Sequence, residues 1–141
     1  MSDDRTTVSV YAAAANLNQA QNTALLTFKA VRPVRLHRFG VVADAAAGLL
    51  APMDLKLRLT PVATGTAADI SGAVLNGAVK ARGYGLVKTL SSREEIVLAG
   101  DTVTIAVETA AGGTSTGDVF LEYEPLSFNP ENIDNIAEET T

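Results

Sequence analysis

Apolar and polar residues alternate with a period of two in several short runs, the pattern of strands that bury one face. The best-formed runs lie between Glu94 and Pro125. In the first, Val103, Ile105 and Val107 alternate with Thr102, Thr104, Ala106 and Glu108. In the second, Val119, Leu121 and Tyr123 alternate with Asp118, Phe120, Glu122 and Glu124. Gly112, Gly113, Thr114, Ser115, Thr116 and Gly117 between them are turn formers, so the stretch predicts an antiparallel hairpin. Asp54–Thr60 is the next cleanest run. Leu55, Leu57 and Leu59 turn in, Lys56 and Arg58 turn out, and Pro61 closes it.

The remaining elements are less regular. Thr23–Arg32 fits a strand with Ala24, Leu26, Phe28 and Ala30 on one face, ended by Pro33, which has no N–H to donate. Val34–Val42 supplies another, with Gly40 as a candidate bulge. Asp44–Pro52 reads as a turn or short helical loop. Residues 62–78 read as a long Gly, Thr and Ala-rich loop with at most a short strand around Ile70–Leu75. Val79–Leu90, interrupted by Gly83 and Gly85, suits an edge or sharply bent strand, and Ile96–Leu98 follows a turn at Ser91–Glu94. Residues 1–22 are expected to form an irregular arm with a short strand at Thr7–Tyr11. Residues 129–141 are expected to form an acidic flexible or partner-bound tail. Between them, 23–128 holds about seven or eight short strands, about 8–15 residues apart, with no amphipathic helices interposed. The fold class is all-β: a single antiparallel β-sandwich, jelly-roll-like.

Composition narrows the picture without changing it. The chain has 141 residues and 47% hydrophobic content, enough for one globular domain. Aromatics make up 5% and Trp is absent, so the core must be thin and aliphatic. There is no Cys, which removes disulfides and thiolate chemistry. The start, MSDDRTTVSV, lacks the basic and apolar regions of a secretion signal, and no apolar run approaches the ~20 residues of a membrane span. A soluble protein without membrane association is expected.

Charge is divided unevenly. Residues 1–93 hold all 11 Lys and Arg with five acids (Asp3, Asp4, Asp44, Asp54, Asp69), a net of +6. Residues 94–141 hold 11 acids and no Lys or Arg, a net of −11. Such a split suits self-association or docking on a charged scaffold, unless strands from both parts interleave and the charges mix.

No catalytic constellation emerges. His37 is the single His, so a His₂ or His₃ metal site is impossible within one chain, and no GxSxG elbow accompanies any serine. Glu122 and Glu124 share the solvent face of one strand, whereas a glycosidase needs carboxylates across a cleft with aromatics to bind sugar. Neither calcium-loop spacing nor a P-loop nor GxGxxG occurs. Gly83-Tyr84-Gly85 resembles a pore-filter or RNA-contacting tripeptide without the context of either. The chain is expected to be no enzyme, with no cofactor and no metal. The cluster Lys29, Arg32, Arg35, His37 and Arg38 is the strongest electrostatic feature. The acidic total, with pI ≈ 4.7, argues against nucleic acid and favours the acidic segment of another copy. The candidate protein–protein contacts are therefore Lys29, Arg32, Arg35, Arg38, Glu122, Glu124, Glu131 and Asp134.

The series GDTVTIAVETA, a Gly/Thr-rich turn and GDVFLEYEPLSFNP resembles the C-terminal part of small decoration (cement) proteins on tailed-bacteriophage heads. RLHRFGVVAD, MDLKLRLTPVATG and ARGYGLVKTL agree with that family in order and style, so the resemblance spans residues 23–130. It implies a jelly-roll-like subunit, made in the host cytoplasm, that forms a homodimer or homotrimer. It would bind the major capsid protein on the outer surface of the virion and stabilise the shell, with no catalytic residues. The terminal arms and the strand Lys29–Arg38 are expected to make the contacts. Two alternatives are a receptor- or carbohydrate-binding sandwich of a tail fibre, and another minor structural phage protein. The first needs an exposed aromatic platform that this sequence mostly lacks.

Overall fold

The computed structural model describes residues 7–45, 52–78, 85–90, 96–110 and 116–126. They form nine strands: β1 (Val8–Asn16), β2 (Ala24–Lys29), β3 (Val34–Ala45), β4 (Pro52–Thr60), β5 (Ala68–Ala78), β6 (Gly85–Thr89), β7 (Ile96–Val97), β8 (Thr102–Thr109) and β9 (Thr116–Pro125). One sheet has the order β1-β9-β3-β6, with the short β7 also on β3; the other has the order β2-β8-β4-β5. Every pairing is antiparallel.

The pairs are nested along the chain. β4 pairs with β5, β3 with β6 around them, β2 with β8 around those, and β1 with β9 outermost. This is one long antiparallel ribbon folded over itself, and the fold brings β9 against β3 and β8 against β4. The all-β, jelly-roll-like sandwich expected from the strand pattern is the architecture observed.

The alternating residues fill the space between the sheets. Leu55, Leu57, Val103, Ile105 and Val107 face Leu36, Phe39, Val41, Val119 and Leu121, all essentially removed from water. At roughly 1.5–3 kcal/mol for each fully buried side chain of this size, these residues supply the main cohesion of the domain. Phe28 of β2 and Tyr123 of β9 meet across the sheets, ring centroids 4.5 Å apart.

Several expectations are corrected. β8 and β9 are not a hairpin: they lie in different sheets, β8 between β2 and β4, β9 between β1 and β3. Alternation specifies which face is buried, not which strand lies alongside, and both arms bury their apolar face against each other across the sandwich. Within the expected arm 1–22, Val8–Asn16 form β1, longer than the short strand expected at Thr7–Tyr11. The expected loop at 62–78 contains β5, an eleven-residue strand. The register of β3 with β9 shifts at His37, between Leu36 and Arg38, and again between Ala43 and Ala45, while Gly40 is regularly paired with Phe120. The Asp44–Pro52 turn falls largely outside the described residues, as do Gly83, Tyr84, the Ser91–Glu94 turn, and the tail 129–141.

Candidate functional site: the outward faces of the two sheets

The outward face of the first sheet is built on β3 and β9. The bulge at His37 breaks the alternation of β3, so Arg35, His37 and Arg38 all reach the same side as Glu122 and Glu124. Glu124 is buried, with 6% of its surface exposed. His37 Nε2 lies 3.0 Å from Glu124 Oε1, and Arg35 Nη1 lies 3.8 Å from the same oxygen. The Nε of Arg35 is buried without a hydrogen-bond partner. Arg38 grips Glu122 with two nitrogens, Nε to Oε1 at 2.5 Å and Nη2 to Oε2 at 3.1 Å. That hydrogen bonding, with the attraction of the carboxylate, holds the Arg38 guanidinium above its ordinary pKa.

Four of the expected contact residues, Arg35, Arg38, Glu122 and Glu124, are thus brought together within one chain. The nested ribbon inserts the acidic β9 between two earlier strands, and the charge halves seen in the sequence mix. Lys29 and Arg32 lie elsewhere, exposed at the end of β2. Arg32 Nη2 donates to the Leu126 carbonyl at 2.8 Å, which fixes the point where the chain leaves β9. Glu131 and Asp134 lie outside the described residues.

Next to the charged row runs an apolar one. Tyr11, Phe120, Gly40 and Val87 stand in register across β1, β9, β3 and β6. Tyr11 is 68% exposed, Val87 47% and the neighbouring Val42 38%. Phe120 is half-buried because its ring covers Gly40: a Cβ there would come 2.8 Å from the ring and collide with the Leu86 carbonyl oxygen. The glycine is required by close approach and not by backbone freedom. At the margin of the row, Asp118 Oδ1 accepts a hydrogen bond from the Ala14 amide at 2.8 Å. The sequence was expected mostly to lack an exposed aromatic platform, and this face carries one exposed aromatic, Tyr11, beside the half-buried Phe120. Its signals were Phe120 among the polar positions of β9 and a glycine inside a strand, but Tyr11 fell in the presumed arm.

The outward face of the second sheet is closed by charge. Lys56 is only 3% exposed, although its strand position points away from the core. Its Nζ lies 2.7 Å from Glu108 Oε1 and 3.1 Å from Asp69 Oδ2, and Arg58 Nε reaches Asp69 Oδ1 at 2.8 Å. Gln21 Nε2 donates to Glu108, and Thr109 donates to Asp54. Burial pushes the Lys56 ammonium down, but its hydrogen bonds to Glu108 and Asp69 outweigh this and leave it raised. The Lys56 hydrogen bond is the foremost cause that holds both carboxyls below their ordinary values.

One end of the sandwich collects three connections: 30–33, 61–67 and 98–101. Buried Asp101 ties them, accepting the Val62 amide on Oδ1 at 2.9 Å and the Ala30 amide on its carbonyl at 2.9 Å. Val31 and Val62 project there, 87% and 69% exposed, beside Lys29 and Arg32. Among the described residues, no three His, Cys, Asp or Glu side chains group to hold a metal ion, and no helix is long and apolar enough to cross a membrane.

No family model matches the chain, and no curated protein matches it in sequence. Solved structures do match in shape. A chain of the capsid of Ralstonia phage GP4 is similar with a TM-score of 0.52 and 16% identity, over 89% of this chain and 86% of that one. The globular domain of zebrafish complement 1qA gives a TM-score of 0.49 at 12% identity, over 89% and 99%. The Tobacco streak virus coat protein gives 0.41 at 8%, over 93% and 94%. At 16% identity the likeness to the phage capsid chain is one of fold.

Proposed function

We propose that the chain is a structural virion protein that binds the outer surface of a phage capsid and stabilises it, as a decoration or cement protein does. The observation that carries this reading is the likeness in fold to a chain of the Ralstonia phage GP4 capsid, over most of both chains. The resemblance of residues 23–130 to decoration proteins supports it as well. The partner is the major capsid protein, and the role is binding, with no residue assigned to catalysis. A lattice repeats each contact many times, so modest contacts per copy suffice for a stable shell.

The docking end is the one that gathers 30–33, 61–67 and 98–101. Its exposed Val31 and Val62 offer apolar contact, Lys29 and Arg32 offer charge, and the acidic tail leaves from Leu126 beside them. Arg35 and Arg38 are poorer probes, because reversing them sets a second carboxylate against Glu124 and Glu122, which they face within the same chain. The test is to add purified chain to capsid shells assembled without it and to measure occupancy by electron microscopy. Wild type should decorate the outer surface. Lys29→Glu with Arg32→Glu should lower affinity at least tenfold, as should deletion of 129–141. Bare shells after incubation with wild type would end the reading, and full occupancy by both variants would move the docking end elsewhere.

A further inference from the structure

We propose that Asp101 is the positioning residue of the docking end, the group that holds Val62 in place beside Val31. The inference rests on the docking role proposed above and adds the residue that presents one of its two apolar contacts.

The three connections at that end are not held alike. Segment 30–33 is fastened to 98–101 through backbone alone. The Ala30 amide donates to the Asp101 carbonyl at 2.9 Å, and the Gly100 amide donates to the Ala30 carbonyl at 2.6 Å. Its far end is fastened too, because the Leu126 amide donates to the Pro33 carbonyl at 2.9 Å. None of these bonds needs a particular side chain at position 101. Segment 61–67 instead turns on itself. The Thr64 and Gly65 amides donate to the Pro61 carbonyl, Gly65 stands at φ 68°, and the Thr66 amide donates to Thr64 Oγ1. Arg58 Nη2, reaching the Ala67 carbonyl at 3.5 Å, ties the segment's end to β4. Among the described residues, only the Val62 amide bonds across to another connection, and its acceptor is a side-chain atom, Asp101 Oδ1 at 2.9 Å.

The surroundings of the two residues fit that division. Asp101 is 6% exposed, and a carboxylate taken from water needs hydrogen bonds in place of those it loses. Val62 is 69% exposed and lies outside the core cluster, so burial does not fix its side chain. Its nearest support is Gly100, at φ 94°, where a Cβ would lie 3.4 Å from Val62 Cγ1. The turn at Gly100 gives Val62 something to rest on, and the Asp101 carboxylate keeps it there. A valine held in this way meets a partner already ordered. A loose one has to be ordered during binding, which lowers affinity. The bond needs an oxygen at that point and not a charge, so the amide oxygen of an asparagine can replace it.

The test joins hydrogen exchange of the isolated full chain by NMR to affinity for capsid shells assembled without it. In wild type the Val62 amide should exchange about tenfold more slowly than that of Ala63, which has no acceptor among the described residues. Asp101→Ala should bring Val62 to the Ala63 rate, leave the Ala30 amide protected, and weaken shell binding about fivefold. Asp101→Asn should restore both the protection and the affinity to within about twofold of wild type. A general loss of structure would release Ala30 together with Val62, so the two amides separate positioning from unfolding. A wild-type Val62 amide as fast as Ala63 overturns the proposal, and so does an Asp101→Ala chain that binds shells like wild type. In both cases wild-type binding, and with it the docking role, stands. Should Asp101→Ala fail to fold, wild-type exchange and Asp101→Asn still decide: Val62 protected in the Asn chain with binding about fivefold weaker means that charge matters and position does not, which also overturns it. Shells left bare by wild type end the docking role and this inference together.

Discussion

The two outward faces of the sandwich are made from similar strands and treat water differently. On the second sheet, Lys56 lies almost wholly buried under its bonds to Asp69 and Glu108, with Arg58 and Gln21 completing the cluster. On the first sheet, the ion pairs are drawn to one margin, Asp118 is held by the Ala14 amide at the other, and the row between them is left to Tyr11, Phe120, Val42 and Val87. The second face leaves Val74 partly in solvent, whereas the first leaves a whole row of apolar side chains there. An ionic cover limits what a partner can gain, because its charges are already matched. An uncovered apolar row keeps a driving force for association.

The largest effect should come from Gly40→Ala, which tests whether the first face depends on the close approach at its centre. The new Cβ has no room against the Leu86 carbonyl oxygen, which belongs to backbone and cannot swing aside, so β6 must move off β3. A loss of about 3 kcal/mol in urea unfolding is expected, the upper end of the usual overpacking cost. Phe120 should rise from the surface at the same time. If stability is unchanged, Gly40 is not what flattens the face.

Lys56 tests the other side. Lys56→Ala removes a buried cation and its packing, but Asp69 keeps Arg58 and Glu108 keeps Gln21 and water. The expected cost in urea unfolding is therefore about 2 kcal/mol, below the full penalty for a broken buried pair. Lys56→Met, which keeps the stem's packing, should cost less than about 1 kcal/mol. Equal losses in the two variants would show that the ion pairs and not the packing hold this face closed.

These residues also mark how far the sequence could be read. Leu55, Leu57, Val103, Ile105, Val119 and Leu121 were all assigned inward by alternation, because burial of one face imposes period two. The outward position of Lys56 was equally legible. Its burial was not, since that depends on Asp69 and Glu108 arriving on neighbouring strands. Pairing was the general blind spot. Alternation is identical for any neighbour, so β8 and β9 looked like a hairpin, and an acidic half looked separable from a basic one. β5 is longer than the short strand expected around Ile70–Leu75, and its length was hidden because, of Ala68–Asn76, only Ala73 and Leu75 are buried in a Gly, Ser and Ala-rich run. In β1, Ala12 and Ala15 pack partly on the core while Tyr11 and Ala13 face water. The candidate contacts were legible as charges, but whether they met each other or a partner depended on the same unread pairing.

Acid should separate the faces further, by a smaller amount. Asp69 and Glu108 titrate below their ordinary values in the folded chain. Their contribution is complete above the ordinary carboxylate range and is lost as pH falls through the lowered folded values. Lys56 is raised, so its contribution is complete below the ordinary lysine value and is lost as pH climbs through the folded one. The stability difference between wild type and Lys56→Met should therefore form a plateau across neutral pH and shrink at both ends. A difference that stays constant into acid would mean the cluster's protonation is uncoupled from folding.

The smallest effect on stability should come from Tyr11→Ser, and that is why it discriminates best between the faces. Tyr11 is 68% exposed, so the isolated chain gives up little buried area when the ring is removed. The change should stay within about 0.5 kcal/mol, as for a surface substitution without special partners. Thr104→Ser is a matched change on the second sheet's outward face, where Thr104 lies in register with Thr27 and Arg58. It too should leave unfolding nearly unaltered. If the homodimer or homotrimer that the family resemblance implies forms through the uncovered row, only the Tyr11 change should lower the mass measured by light scattering at a given concentration. Two substitutions equal in unfolding and unequal in assembly would tie the difference to where the side chains sit. If both, or neither, shift the mass, exposure of the apolar row does not set the association, and the contrast between the faces has no functional consequence.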